Sequence, residues 1–423
     1  MNSLHMIQNF IKAENLQKAS LTSFKPGQLL YGRVEKFLAN DSAIVQIGGM
    51  KILAQVKASL SIAENYLFEV QANGDGGIQL KVLDGNEGQP ANLLEQLHLP
   101  DTKINTQLVK TLMDHNIPMT KEQIKTVTEW IIHQPDVKEI TALEWMVKKD
   151  LPFTKQVFQS LVAVQEPQPF SHQLETLAAR LEDPNLSNFS TIQPLKQKIA
   201  EILANPTIDQ VQTGSEVKQM LKTMIRHLGL EYENAVGEWA GDKSNASKTL
   251  HSLKPLLLNA LNELGSNGKE IEPVINRLTG MQLISQDPTT AMQQMVLQLP
   301  ITFGNKNTDI TLQWTGKKNK NGQMDPDYCR VLFYLDLEHM DQTILDMQVQ
   351  NRVIHVSIIN DKKDIEPVVS ALTPNVKQKL EALGYKLSYI KVNPAYEKTD
   401  LDPQELNSVL LPKEIYQGVD IKI

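Results

Sequence analysis

The order of apolar and polar positions divides the chain into regions of different period. From Pro26 the pattern alternates in short runs broken by glycine and asparagine, and it predicts five strands, at 28–34, 43–47, 50–56, 66–71 and 78–83. Gly48-Gly49 joins the second strand to the third as a two-residue hairpin. Asn73-Gly74-Asp75-Gly76-Gly77 turns the chain between the fourth and fifth. Five short strands so closely spaced predict a small closed or partly open β-barrel over 22–86. Ahead of it, Leu4, Ile7, Ile11 and Leu16 give residues 1–21 the spacing of an amphipathic helix.

Beyond a polar connector at 85–90 the period lengthens to that of helices, and the sequence repeats itself. Residues 108–127 align with 142–161 at a constant offset of 34, so that Ile117-Pro118-Met119-Thr120-Lys121 matches Leu151-Pro152-Phe153-Thr154-Lys155. Each copy reads as a helix, a proline-containing turn and a second helix capped by threonine, with Thr120 and Gln123 forming a capping box. The period equals that of tetratricopeptide arrays, but their tryptophan, glycine and tyrosine signature is missing, so residues 91–164 are expected to form a pair of stacked helical hairpins. Gln165-Glu166-Pro167-Gln168-Pro169 reads as a proline-rich linker. A helical region follows over 171–286, with helices expected at 171–181, 193–203, 207–228, 245–264 and 271–283. The methionine-bearing stripe Val217, Met220, Leu221, Met224, Ile225 and Leu228 is expected to fill a core.

From Leu297 the period returns to two. Strands are predicted at 297–303, 309–314, 329–337, 343–349 and 353–359, the last two joined by a tight turn at Gln350-Asn351-Arg352. Ile365, Val368, Val369 and Leu372 then form one helical face, Thr373 is placed to cap a new turn with Pro374 at its first position, and Val376, Leu380 and Leu383 continue the stripe. Gly384 supplies a left-handed stop, and 385–392 is a closing strand. The fold class is therefore multidomain α+β: an N-terminal small barrel of the oligonucleotide/oligosaccharide-binding (OB-like) type, a helical middle, and a C-terminal meander, helix and strand over 290–393. A polar tail at 394–423 ends in an alternating run, Gly418 to Ile423, suited to pairing with a sheet edge.

The run Val274-Ile275-Asn276-Arg277-Leu278-Thr279-Gly280-Met281-Gln282-Leu283, then Leu299-Pro300-Ile301, then meander, helix, Leu383-Gly384-Tyr385 and closing strand, resembles the C-terminal domain of flagellar hook-length control proteins. The resemblance spans roughly the last third of the chain and is a pattern of apolar spacing. It implies a domain that docks on the cytoplasmic part of a membrane-embedded export-gate protein, or on a soluble relative of it, and influences which substrates are secreted. The partner-binding residues expected on that basis are Val353, His355, Val368, Leu372, Val376 and Leu380. Members of that family carry a long extended N-terminal half used as a measuring tape. Here that half reads as folded, and helices reach only about 1.5 Å per residue against about 3.3 Å for extended chain, which removes the basis for a ruler.

Composition narrows the remaining options. The chain has 423 residues, 41% hydrophobic and 22% charged, as expected of several ordinary folded domains. No apolar run is long enough to cross a bilayer, and no general secretion signal is visible at the N-terminus, which places the chain in the cytoplasm while leaving flagellar-type export open. A net charge of −7 disfavours nucleic acid as the main partner. The alternative function is a nucleic-acid adaptor built on the barrel through Tyr31, Arg33, Lys36 and Phe37. Lys317-Lys318-Asn319-Lys320 reads as a solvated hairpin tip, and the single cysteine, Cys329, as a buried strand residue. The nine histidines show no metal-ligand spacing, and no phosphate-cradling loop or nucleophile elbow is present. The sequence thus predicts no catalytic residue, no metal and no cofactor, and a non-enzymatic interaction protein.

Overall fold

The computed structural model describes residues 24–394 except 39–41, 49, 57–59, 73–77, 84–93, 96–97, 205–212, 232–250, 286–291, 304–305, 320–323, 338 and 363. The expected N-terminal helix, the glycine-rich turn at 73–77 and the alternating run at 418–423 lie outside these residues. The chain forms two compact units, residues 20–162 and a second built from residues 163 onward.

In the first unit, strands β1 (Gln28–Phe37), β2 (Ser42–Ile47), β3 (Met50–Val56), β4 (Asn65–Gln71) and β5 (Ile78–Val82) close a barrel in the cyclic order β1-β2-β3-β5-β4-β1. All pairings are antiparallel except β3 with β5. This is the topology of an OB-type barrel. Strand β1 serves both β4 and β2 because its register shifts between Val34 and Lys36, a bulge that bends it around the corner. Alternate residues fill the interior, with Val34, Ala43, Val45 and Phe68 fully buried. Gly32 lies where β1 crosses β2, and a Cβ there would come within 2.9 Å of Ile47 and Val45 side-chain atoms and 3.0 Å of the Gln46 carbonyl. A two-residue strand, β6 (Met119–Thr120), adds to β1.

The repeat follows at its expected period. Helices α1 (Lys103–Asp114), α2 (Lys121–Trp130), α3 (Val137–Lys148) and α4 (Lys155–Ala163) start 34 residues apart in pairs. Thr102 and Asp136 cap α1 and α3, accepting from Asn105 N–H and Glu139 N–H. Asn116 and Asp150, also 34 apart, take left-handed backbone at φ 50° and 51°. Immediately after them Ile117 N–H donates to Leu112 C=O and Leu151 N–H to Met146 C=O, closing both helices the same way. The Thr120/Gln123 capping box forms as expected.

The second unit packs helices α5 (Phe170–Arg180), α6 (Ile192–Leu203), α7 (Gly214–Leu228), α8 (Leu253–Leu264) and α9 (Glu272–Ser285) beside a six-stranded sheet. The sheet runs β7 (Met292–Phe303), β8 (Lys306–Lys318), β9 (Met324–Leu337), β10 (Asp341–Gln350), β11 (Val353–Ile359) and β12 (Lys386–Asn393) in spatial sequence order. Neighbours are antiparallel except β11 and β12, which are joined by helix α10 (Ile365–Ala382). The strands extend beyond their predicted ends because the ladder hydrogen bonds continue where the apolar alternation fades. Of the methionine-bearing stripe, Met224 and Leu228 are buried, whereas Val217 is exposed.

Two local expectations are corrected. Thr373 does not cap a new helix: α10 runs unbroken through Pro374, and Thr373 Oγ1 donates to Val369 C=O at 2.7 Å, which keeps its hydroxyl inside the turn. The proline-rich segment is not a free tether either. Arg277 on α9, almost fully buried, donates through its guanidinium to the Gln168 carbonyl at 2.7 Å and to Gln298 Oε1 on β7 at 2.7 Å. It also stands over the Phe170 ring, 5.5 Å from the centroid. Asp309 on β8 accepts from Phe170 N–H and Ser171 N–H at the start of α5. Burial lowers the Arg277 pKa to about 10, a loss that Asp309 and Glu166 oppose.

Candidate functional site

Helix α10 is held by its two ends. At its start, buried Asn360 donates to the Met340 carbonyl at 2.7 Å and to Thr343 Oγ1 at 2.8 Å, while its own carbonyl oxygen accepts from Lys362 N–H at 2.8 Å. This ties the exit of β11 to the turn ahead of β10. At its end Gly384 takes φ +82°, so Tyr385 N–H reaches back to Leu380 C=O at 2.9 Å. Lys386 N–H then donates to the Arg352 carbonyl at 2.8 Å, and the Arg352 guanidinium lies 5.8 Å from the Tyr385 ring centre.

Between these anchors only part of the apolar arc is used for packing. Ile365 is buried, and Leu380 packs against the cluster of Val349, Ile354 and Leu387. The neighbouring face is left to solvent: Val368 is 53% exposed, Leu372 55%, Val376 38% and Leu383 67%. Val368, Leu372 and Val376 are four residues apart, so they form one row along the helix. Exposed apolar side chains are ordinary singly; here three of them share one row of one element.

The residues expected to bind a partner therefore separate. Val368, Leu372 and Val376 come together on the open row, whereas Leu380 turns into the core. Val353 and His355 lie on β11 and alternate with Ile354, which faces α10, so they occupy the opposite face of the sheet. There His355 packs on Tyr389 at 4.9 Å between ring centres, and its buried Nδ1 has no hydrogen-bond partner among the described residues. Leu383 joins the row although sequence reasoning did not select it. Its place in the heptad-like spacing was the available signal.

The barrel offers a second surface. Register pairs Lys36 with Ile44 and Ile44 with Leu53, and Arg33 with Gln46 and Gln46 with Lys51, so these side chains share the outer face of β1, β2 and β3. Leu53 is 60% exposed; Phe37 pairs with interior-facing Ala43 and so does not share this face. Lys51 pairs with Glu35 at 2.5 Å, which partly neutralises the face. Tyr31 is half-buried beside Arg33. Lys51 and Leu53 were not singled out from sequence, because their place beside Lys36 and Arg33 depends on the three-strand register.

Among the described residues no three His, Cys, Asp or Glu side chains converge to hold a metal, and no helix is long and apolar enough to cross a membrane. Cys329 is half-buried rather than fully buried as expected; that burial raises its thiol pKa, a hydrogen bond with Trp314 opposes the rise, and Asp325 and Asp327 add to it.

Residues 6–81 match the TP0910 S1-like domain family. The match falls on the barrel, and the OB-type strand order agrees with it. The chain is also similar to Uncharacterized protein YlqG of Bacillus subtilis (strain 168), 31% identical over 183 residues. That alignment covers 42% of this chain and 30% of the relative, so the chain spans less than a third of the length of the curated protein it matches.

Proposed function

We propose that the protein is a non-enzymatic docking protein of the cytoplasm. Its C-terminal sheet and helix engage the cytoplasmic domain of an export-gate protein, or a soluble relative of it, and influence which substrates are secreted. The observation that carries this reading is the row Val368, Leu372, Val376 and Leu383, apolar and exposed on a helix fixed at both ends. The resemblance to the hook-length control family supports the choice of partner. Burying such a row on binding contributes about 25 cal/mol for each Å2 of apolar surface removed from water, and a pre-ordered helix loses little further entropy. To bias a gate between substrate classes, the docked surface must bind one of the gate's states more tightly than the other. The test is capture of a purified export-gate cytoplasmic domain by the full chain. Recovery with the wild type and loss with Leu372→Glu is expected; equal recovery with both sinks the reading.

A second reading rests on the barrel. The S1-like match and the Arg33, Lys36 and Lys51 side chains beside exposed Leu53 support single-stranded nucleic-acid binding. That activity would weaken steeply with salt and fall on Arg33→Ala. Salt-independent or absent binding of a labelled RNA oligonucleotide would remove it.

A further inference from the structure

The open row of α10 has electrostatic direction as well as apolar character. Asp364, at the N-cap, stands four residues before Val368 and so continues the same row at its N-terminal end. Lys379, in the last turn, lies three residues after Val376 and four before Leu383, within the row near its C-terminal end. Both are exposed. The helix macrodipole favours this charge arrangement in α10 itself. It also prescribes what lies well against α10.

Resting on the docking reading above, we infer that the occupant of this row is an amphipathic helix of the partner, lying antiparallel to α10. It carries an acidic residue near its N-terminus opposite Lys379 and a basic residue near its C-terminus opposite Asp364. From Val368 to Leu383 the row spans about 22 Å, the length of four helical turns. The row with a spacing of four is a ridge, and ridges of this kind seat in the groove of another helix. Antiparallel packing also sets each dipole end against its opposite. Addition of a strand is excluded at this surface, because a helix interior has no spare ladder of backbone donors. A second copy of this chain, whose own α10 carries the same two charges in the same order, is the competing occupant, and a wild-type dimer in sedimentation would reveal it.

The full chain is titrated into two fluorescent helical peptides of about four turns that share one leucine face. One has glutamates in its first turn and lysines in its last, and the other has these charges exchanged. The first is expected to bind about tenfold tighter at low salt, with the preference erased or reversed by Lys379→Glu and both affinities lost with Leu372→Glu. Equal affinity for the two peptides, or binding of neither, overturns the inference. So does sedimentation showing a wild-type dimer that Leu372→Glu returns to monomer. If the peptides fail while the gate domain still binds in a Leu372-dependent way, the helical occupant is wrong and the docking reading survives. If Leu372→Glu leaves capture of the gate domain unchanged, the docking reading itself falls.

Discussion

Arg277 shows what one buried charge demands of its surroundings. Its donors satisfy the Gln168 carbonyl and Gln298, and its plane packs on Phe170, so removing it strands several polar groups away from water. Arg277→Met is expected to cost about 3–5 kcal/mol in denaturant unfolding, and Arg277→Lys less, since lysine keeps the charge without the fork. Glu263 on α8 acts at the surface. Its carboxylate accepts from Ser190 N–H and Thr191 N–H, each at 3.0 Å, and from both hydroxyls, ahead of α6. Those bonds, the Thr191 hydroxyl's first, lower its pKa from 4.5 to about 2. A carboxylate depressed in the folded state adds stability above its unfolded pKa, and that stability is lost as pH falls through the folded value. The contribution should therefore be complete above pH 4.5 and gone near pH 2, and Glu263→Gln should flatten the melting-temperature profile in that window.

At the scale of elements, Gly32 and Pro374 are positions where backbone and packing constrain each other. A methyl at Gly32 meets Ile47, Val45 and the Gln46 carbonyl, so Gly32→Ala is expected to lower stability by a few kcal/mol by prising β1 from β2. Pro374 interrupts the hydrogen bonding of α10, and Pro374→Ala should raise the melting temperature, with a gain of up to about 3 kcal/mol. No change there would mean that the helix is already relaxed around the ring. Much of this level was legible in the sequence. The strand alternation and the duplicated Pro-x-Thr-Lys turns located the barrel and the repeat, because period and capping are local properties. Pro374 misled: its preference for a first turn did not end a helix whose two ends are fixed, by Asn360 at its start and by the Gly384 turn at its close. The linker misled for another reason: Arg277 lies more than a hundred residues away, and no local pattern announces that it reaches back to Gln168. The exposed row on α10 was half legible. Periodicity gave the apolar arc, but which part of it the sheet consumes follows only from where Leu380 packs.

For the whole molecule, the units 20–162 and 163 onward each have their own core, so residues 20–162 expressed alone should fold cooperatively, as monitored by circular dichroism. The barrel carries the S1-like match and the sheet carries the open helix, which divides two kinds of surface between two folding units. The measurement that bears most directly on function is a calorimetric titration of the export-gate cytoplasmic domain into the full chain, wild type and Leu372→Glu. Saturable binding by the wild type, weakened at least tenfold in the variant with its melting temperature unchanged, is the predicted result. Equal affinity of the two chains, or no heat of binding with the wild type, would contradict it.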